Sequence, residues 1–293
     1  MNKIRHILTC LILCLSTVHL HADRPLPFRD EATRQRFFYY LYEAQRLFQK
    51  ADYQNAFQLY EFCLYLRPTD PVVNRYLGDF FMGVKRPDIA LPYYQTTYRF
   101  DPKDEHILDR LEQAYFYTYD TKNALRIQDL IERRDGYNYY SALQRYRIYA
   151  SVGDVKKARK EAERYLKYDP LNVQFLILRL QALEAMKTSK ATLKKAYEQI
   201  LALDPENITV MNNYAYFLAT HKGDLKIAED YSRYAVQAEP ANPVFLDTYA
   251  WILYLRGEKP LAQMYIRQAL QGFGDQTIPD EVLSHYHIIM NTK

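Results

Sequence analysis

The chain has 293 residues, 48% of them hydrophobic, and its 39 basic against 35 acidic residues give a formal net charge of +4. This is the composition of an ordinary water-soluble chain that is long enough to bury a large core. The near balance of charge argues against a nucleic-acid partner, which would require many unpaired cations.

The N-terminus has the three-part layout of a secretory signal peptide. Lys3 and Arg5 precede an apolar run over residues 7–20, and Ala22 offers a small residue for cleavage. We therefore predict a signal peptide over residues 1–22 and export of the mature chain to the bacterial periplasm or cell envelope, or its secretion. An uncleaved anchor and a buried first helix are the alternatives, although the run is short for a membrane span.

The cysteines predict a mature chain without an intramolecular disulfide. Cleavage would remove Cys10 and Cys14 and leave Cys63 alone, so no intramolecular disulfide could form. We interpret Cys63 as a small buried residue on a helix, with a reactive thiol as the alternative. A lipid anchor is less favoured, because neither Cys10 nor Cys14 follows the small residue that a lipoprotein signal carries.

A five-residue motif recurs through the rest of the chain. Its clearest copy runs from Leu203 to Asn207 (LDPEN), and related copies recur in steps of 34 or 35 residues, beginning at Leu66, Phe100, Arg134, Tyr168 and Ala238. A fixed period of this length is typical of repeat architectures. Proline cannot continue a helix, and the Asp or Asn two residues later can cap the next one. Each copy should therefore end one helix and begin another.

The motif divides the chain into frames of two helices each. A lead-in over residues 23–36, with Asp30 as the first N-cap, precedes frames at 37–70, 71–104, 105–138, 139–172, 173–207, 208–242 and 243–276. Acidic residues are predicted to cap the second helices at Asp52, Asp120, Asp154, Asp224 and Glu258. Small residues recur where a second helix would press on its own first helix, at Ala56, Ala90, Ala124, Ala158, Ala228 and Ala262.

These frames resemble the tetratricopeptide repeat family. The resemblance is clearest in Tyr76-Leu77-Gly78 with Phe81, Ala90, Tyr94 and Pro102, and in Leu246, Tyr249-Ala250 with Leu253, Gly257, Ala262 and Ala269. It covers residues 37 to about 290 and implies an all-α, right-handed superhelical solenoid of about seven helix-turn-helix repeats, with a C-terminal capping helix and tail over 277–293. Departures stand at Glu112, Tyr146 and Leu180, where the family usually has a small residue, so looser packing is expected there.

One joint differs from the others. The copy at 135–138 has Gly136 in place of proline, and glycine removes the stiffness that proline supplies. We predict a hinge or change of pitch there, which separates repeats 1–3 (37–138) from repeats 4–7 (139–276). The alternative is that Gly136 is a left-handed helix cap in an undisturbed stack.

No catalytic arrangement is apparent. The chain has eight glycines and lacks a phosphate-binding loop, a dinucleotide-binding fingerprint and paired cysteines at zinc spacing. His285 and His287 are two residues apart, so on a helix they point to different sides and do not share a metal. We therefore predict no enzyme, no cofactor and no metal.

The resemblance implies instead a binding groove lined by the first helices. It places there Arg75, Asp79, Met82, His106, Asp109, Gln113, Phe116, Tyr140, Arg147, Gln181, Asn212, Asn213, Tyr216, Asp247, Trp251 and Tyr254. The C-terminal members are the preferred contact site, because Asn212 and Asn213 can hold a peptide backbone and the aromatic rings offer rigid contact area. The alternative is that Trp251 and the tyrosines merely pack between helices.

The sequence thus predicts a non-catalytic, monomeric adaptor for a protein or peptide partner, with a glycan as the alternative partner because the groove is rich in aromatic residues. A basic stripe could touch an anionic membrane. It consists of Lys156, Lys157, Arg159, Lys160, Arg164, Lys167, Lys194, Lys195 and Lys226. Glutamates are interleaved with it, which favours a solvated outer face.

Overall fold

The computed structural model describes residues 27–291, so the predicted signal peptide lies outside the described residues. All regular secondary structure in this range is α-helical. The helices are α1 (Glu31–Gln49), α2 (Tyr53–Leu66), α3 (Pro71–Gly83), α4 (Pro87–Phe100), α5 (Ile107–Tyr117), α6 (Thr121–Asp135), α7 (Tyr139–Ser151), α8 (Val155–Tyr168), α9 (Val173–Ala185), α10 (Lys190–Leu203), α11 (Ile208–Thr220), α12 (Leu225–Ala238), α13 (Pro243–Leu255), α14 (Lys259–Gly272) and α15 (Asp280–Asn291).

Each predicted frame from 37–70 to 243–276 holds two successive helices, and α15 follows as an additional helix. Within a frame the second helix follows after a short turn, and the recurring motif separates each frame from the next. The prediction of an all-α helical-repeat fold is therefore confirmed.

The recurring motif caps helices as its chemistry requires. Asp70 Oδ1 accepts a hydrogen bond from the Val73 N–H at 3.1 Å, and Asn207 Oδ1 accepts one from the Val210 N–H at 3.1 Å. Asn138 and Ser141 form a reciprocal capping box at the start of α7. The motif therefore ends one helix and supplies the first hydrogen-bond acceptor of the next.

The acidic residues of the internal turns act in the same way with one exception. Asp52, Asp120, Asp154 and Asp224 each accept a backbone N–H of the following helix. The prediction that Glu258 caps α14 is wrong, because its side chain makes no capping bond and lies 3.6 Å from Arg256 Nε. Glutamate is not among the side chains that favour the N-cap position.

Close helix contacts depend on small residues. All six register alanines, at 56, 90, 124, 158, 228 and 262, are at most 1% exposed. Gly78 on α3 lies so close to the ring of Tyr94 on α4 that a Cβ atom would fall 2.4 Å from Tyr94 Cε1. A larger residue at position 78 would therefore separate these two helices.

The described chain forms two compact units, which meet in sequence between Val152 and Gly153. In the first unit, one core cluster contains Phe37, Tyr60 and Leu77, and another is built around Tyr94 and Leu111. In the second unit, a cluster that includes Phe245 and Ile266 extends to Val282 and Ile289 of α15. The last helix therefore belongs to the core of the second unit.

The unit boundary lies beyond the joint at 135–138, and a hinge at that joint stays a prediction. Gly136 has φ +79° and ψ 166°, and its N–H bonds to the Glu132 carbonyl oxygen at 2.9 Å. This is an extended backbone with positive φ, which only glycine adopts readily. A left-handed helical cap would have a ψ of about +47°, so the alternative that Gly136 forms such a cap is wrong.

Cys63 is fully buried on α2, and its thiol donates to the Phe37 carbonyl oxygen at 3.7 Å. Burial, with a smaller contribution from the Asp70 carboxylate, raises the pKa of this thiol to about 12. The thiolate is the reactive form of cysteine, so Cys63 is an unreactive core residue as predicted.

Candidate functional site

A polar cleft of about 560 Å³ opens in the first unit, and its lining comes from five consecutive helices with the joint after α6. The lining residues are Asp79, Met82, Tyr94, Asp109, Arg110, Glu112, Gln113, Gln128, Ile131, Asp135, Asn138, Tyr140, Ser141 and Gln144. The structure thus brings together five residues that the sequence placed in the groove, namely Asp79, Met82, Asp109, Gln113 and Tyr140. We call this site the polar cleft.

One wall of the polar cleft is an ion cluster centred on Asp79. Its Oδ1 accepts hydrogen bonds from Arg110 Nε at 2.6 Å and from the Tyr94 hydroxyl at 2.8 Å. Arg75 lies 4.0 Å from Asp79 and pairs with Asp104 at 3.2 Å. Burial and the adjacent carboxylate raise the pKa of Tyr94, so this phenol remains a donor. These mutual bonds hold Asp79 and Arg110 in fixed positions.

Glu112 on α5 and Gln128 on α6 are buried polar residues of the cleft, at 5% and 2% exposure. Within residues 27–291, neither Glu112 Oε1 nor Gln128 Oε1 has a hydrogen-bond partner. Burial raises the pKa of Glu112 to about 7, against the opposing effects of Arg147 and of a hydrogen bond with Gln128. The sequence marked Glu112 only as a departure from the repeat pattern and did not single out Gln128 at all.

The rim of the cleft is more exposed. Asp109 and Gln113 project from α5, and Asp109 lies 3.7 Å from Arg134 Nη2. Arg147 on α7, another predicted groove residue, places its guanidinium 5.4 Å from the centre of the Phe116 ring. The rim therefore offers both polar and aromatic contacts beside the buried pair.

The predicted C-terminal contact site has a different environment, because α15 covers it. Asp247 and His285 are both buried, and Asp247 Oδ1 lies 3.0 Å from His285 Nδ1. The Trp251 indole stacks on the His285 ring, with centroids 4.3 Å apart and planes inclined by 16°. Tyr216 donates a hydrogen bond to Glu281, also on α15. Three of the predicted groove residues therefore hold the last helix of their own chain.

The remaining predicted C-terminal residues are divided between core and surface. Asn212 is only 2% exposed, whereas Asn213 and Gln181 are exposed. Tyr254 stacks on Trp251 with ring centroids 5.4 Å apart. Because α11 turns the Asn212 side chain inward, contact of its amide with a peptide stays a prediction.

The basic stripe of the second unit is interleaved with acidic partners. Lys194 lies 3.7 Å from Glu198, Arg159 lies 3.6 Å from Glu163, and Arg164 lies 3.4 Å from Glu161. Pairs of this kind are typical of a solvated helix surface. Contact of the stripe with a membrane stays a prediction.

Within residues 27–291 no helix combines the length and apolar composition that crossing a bilayer requires. Over the same range no group of three or more His, Cys, Asp or Glu side chains is placed to hold a metal ion.

Comparisons with known proteins agree with this architecture. No protein-family model matches the chain. A TPR repeat-containing protein of Pseudomonas aeruginosa, PA4667, is 28% identical over 141 residues, which are 47% of this chain and 24% of the relative. Tetratricopeptide repeat protein 21A of Mus musculus is 32% identical over 63 residues, or 22% of this chain and 5% of the relative. The chain thus spans a quarter or less of each relative.

Solved structures give a longer match at lower identity. A tetratricopeptide repeat protein from Parabacteroides merdae is 12% identical with a TM-score of 0.54, covering 88% of this chain and 100% of that one. The C-terminal part of a TPR repeat-containing protein from Cytophaga hutchinsonii is 13% identical with a TM-score of 0.62, covering 84% and 98%. At such identities the likeness shows the fold.

The hairpins, their helical caps and the register alanines define an all-α helical-repeat scaffold. The chain has the fold of the tetratricopeptide repeat proteins to which it is similar. In general terms this fold supports protein interaction, because stacked hairpins expose extended binding surfaces.

Proposed function

We propose that this protein is a non-catalytic adaptor of the bacterial cell envelope, which holds an extended segment of a partner protein in the polar cleft. The observation that carries the proposal is the cleft itself, where five predicted groove residues meet two buried polar side chains without full hydrogen bonding. Its volume of about 560 Å³ falls within the range of about 300–1,000 Å³ that is usual for ligand sites.

The lining suits a peptide backbone. The exposed amide of Gln113 can donate and accept hydrogen bonds along an extended chain, and Gln144, whose Oε1 accepts from Arg147, adds N–H donors. Asp79 and Arg110 are already paired with each other, so they form a rigid boundary that needs little reordering on binding. The C-terminal set is the weaker candidate in this conformation, because α15 occupies it.

A photo-crosslinking residue at position 113 tests the proposal in intact cells. A residue at Gln237, which is exposed on α12 in the second unit, is the matched control. We expect the position-113 variant to crosslink a defined segment of a partner, mapped by mass spectrometry, and the control to leave that segment unlabelled. Equal labelling from both positions, or no protein adduct from position 113, would reject the cleft as the partner site.

A glycan is the second candidate partner. Tyr140, whose ring is 76% exposed, lines the cleft and offers a flat face for stacking on a sugar. Binding of cell-wall oligosaccharides, lost on Tyr140→Ala and absent for peptides, would favour this candidate over the adaptor.

Export to the envelope rests on Lys3, Arg5 and the apolar run over 7–20. Cell fractionation and N-terminal sequencing test it directly. We expect the protein in the envelope fraction with Asp23 as its first residue. An intact N-terminus in the cytoplasmic fraction would reject this part of the proposal.

A further inference from the structure

Glu112 and Gln128 stand at the two positions of their repeat that are occupied by an apolar contact in the repeat before. Gly78 and Tyr94 stand 34 residues earlier, and there the tyrosine ring packs directly against the glycine. In the next hairpin the same two places hold Glu112 and Gln128, both buried. The packing contact between Gly78 and Tyr94 in one hairpin is thus replaced by two polar side chains in the next.

This polar pair is incomplete as it stands. Among the described residues, Glu112 Oε1 and Gln128 Oε1 both lack a donor, although nearly all buried polar atoms in proteins have a partner. Both residues line the polar cleft, so they stand next to any group that enters it. A ligand with at least two N–H groups could donate a hydrogen bond to each of these two buried acceptors.

Three arginines in or beside the cleft bond to other side chains. Arg110 bonds to Asp79 through two nitrogens, and Arg134 bonds in the same way to Asp135. Arg147, which lowers the pKa of Glu112 from α7, donates through Nη1 to Gln144. Of the four carboxyl groups in the lining, Asp79, Asp109 and Asp135 are paired with arginines, and Glu112 forms no ion pair among the described residues. Glu112 therefore favours a ligand group with positive charge.

We propose that Glu112 and Gln128 form a specificity pocket for the cationic head of a lysine or arginine side chain on the bound segment. An ammonium carries three N–H donors and a guanidinium five, so either satisfies both acceptors together. The carboxylate contributes a charge-assisted bond, which is stronger than a bond between neutral groups. This inference rests on the proposed function, since it names the chemistry of the segment that the cleft holds.

Immobilised hexapeptide pools test the pocket with the full-length protein. Four pools with random flanks differ only at one central residue, which is lysine, arginine, citrulline or norleucine. We expect the lysine or arginine pool to retain the protein at least tenfold more than norleucine does. Citrulline keeps the shape and N–H donors of arginine without its charge, so its pool should retain the protein less than arginine does but more than norleucine does.

Glu112→Gln should abolish the preference for the charged pools while leaving the protein folded, because glutamine nearly matches glutamate in shape. Glu105→Gln, an exposed substitution that lies outside the cleft lining, is the matched control and should keep the full preference. Circular dichroism of both variants verifies folding. The pocket proposal would be overturned if the preference for the lysine and arginine pools survived Glu112→Gln. It would also be overturned if the norleucine pool bound as well as the lysine pool.

A blocking variant separates failure of the pocket from failure of the adaptor proposal. Gln113→Trp fills the exposed rim of the cleft without touching the buried pair. If all pools bind equally and Gln113→Trp abolishes their binding, the cleft binds peptides and only the cationic pocket is wrong. If no pool is retained by the wild type, both the pocket and peptide capture by the cleft are rejected.

Discussion

The buried carboxylate of Asp247 on α13 lies 3.0 Å from the imidazole Nδ1 of His285 on α15, 38 residues further along the chain. This pair, together with the stacking of Trp251 on the same imidazole, fixes the last helix against the repeat before it. Residues that the sequence assigned to a partner thus bind a segment of their own chain.

We expect His285→Ala to loosen α15. The substitution leaves the Asp247 carboxylate buried without its partner, at a cost of about 1–3 kcal/mol. Hydrogen-exchange mass spectrometry should show faster exchange of the α15 amides while those of the first unit stay unchanged. Tyr216→Phe removes only the more exposed bond to Glu281 and should have an effect below about 1 kcal/mol. Equal effects of the two substitutions would contradict the role of the buried pair.

Gly78→Ala should destabilise the hairpin of α3 and α4 by about 1–3 kcal/mol, the usual cost of overpacking. The added Cβ would fall 2.4 Å from Tyr94 Cε1, and that buried ring is held in place by the hydrogen bond from its hydroxyl to Asp79. Hydrogen exchange of α3 and α4 measures the local effect. Gly83→Ala at the end of the same helix is the control, since a Cβ there meets no atom within 4 Å. Comparable losses at both positions would show that close packing is not the cause.

Gly136→Ala should lower the free energy of unfolding by about 1–3 kcal/mol, and the cause is backbone strain alone. Its φ of +79° disfavours any residue with a Cβ, although the space around it is open. Asp135→Ala alters only an exposed ion pair with Arg134 in the same turn and should change stability by less than about 1 kcal/mol. Thermal unfolding of the two variants provides the comparison, and a neutral Gly136→Ala would show that this turn adapts freely.

The pKa of Glu112, raised by burial from 4.5 to about 7, makes stability depend on pH. The folded chain retains a proton that the unfolded chain releases, so this stabilisation is complete below about pH 4.5 and is lost as pH rises through 7. Glu112→Gln cannot ionise. From pH 5 to pH 8 the variant should therefore gain stability relative to wild type, by up to about 3 kcal/mol at about 1.4 kcal/mol per pKa unit.

Urea unfolding of wild type, Glu112→Gln and Glu105→Gln at the two pH values measures this difference. The neighbouring charges of Asp109 and Arg147 are unchanged in both variants, so they do not confound the comparison. A stability difference between wild type and Glu112→Gln that is the same at pH 5 and pH 8 would show that Glu112 is ionised in the folded protein throughout.

Much of the architecture followed from local chemistry that a sequence displays directly. The 34- and 35-residue spacing of the motif at Leu66, Phe100 and Leu203 marked where helices end, because the proline two residues later lacks the N–H that a further helical turn needs. The caps at Asp70, Asn138 and Asn207 depend on bonds that span no more than three residues. Burial of the register alanines followed from the same periodicity.

What only the tertiary structure decided is which groove positions remain accessible. Asp247, Trp251 and Tyr216 have the composition of a contact surface, yet α15 supplies their partners 34 to 65 residues away. Glu112 and Gln128 stand 16 residues apart and look unremarkable in sequence, but the hairpin buries both beside one cleft. Helix ends are determined by residues that are neighbours in the chain. The exposure of a side chain is determined by the residues that pack around it, and these are brought together only by the tertiary fold.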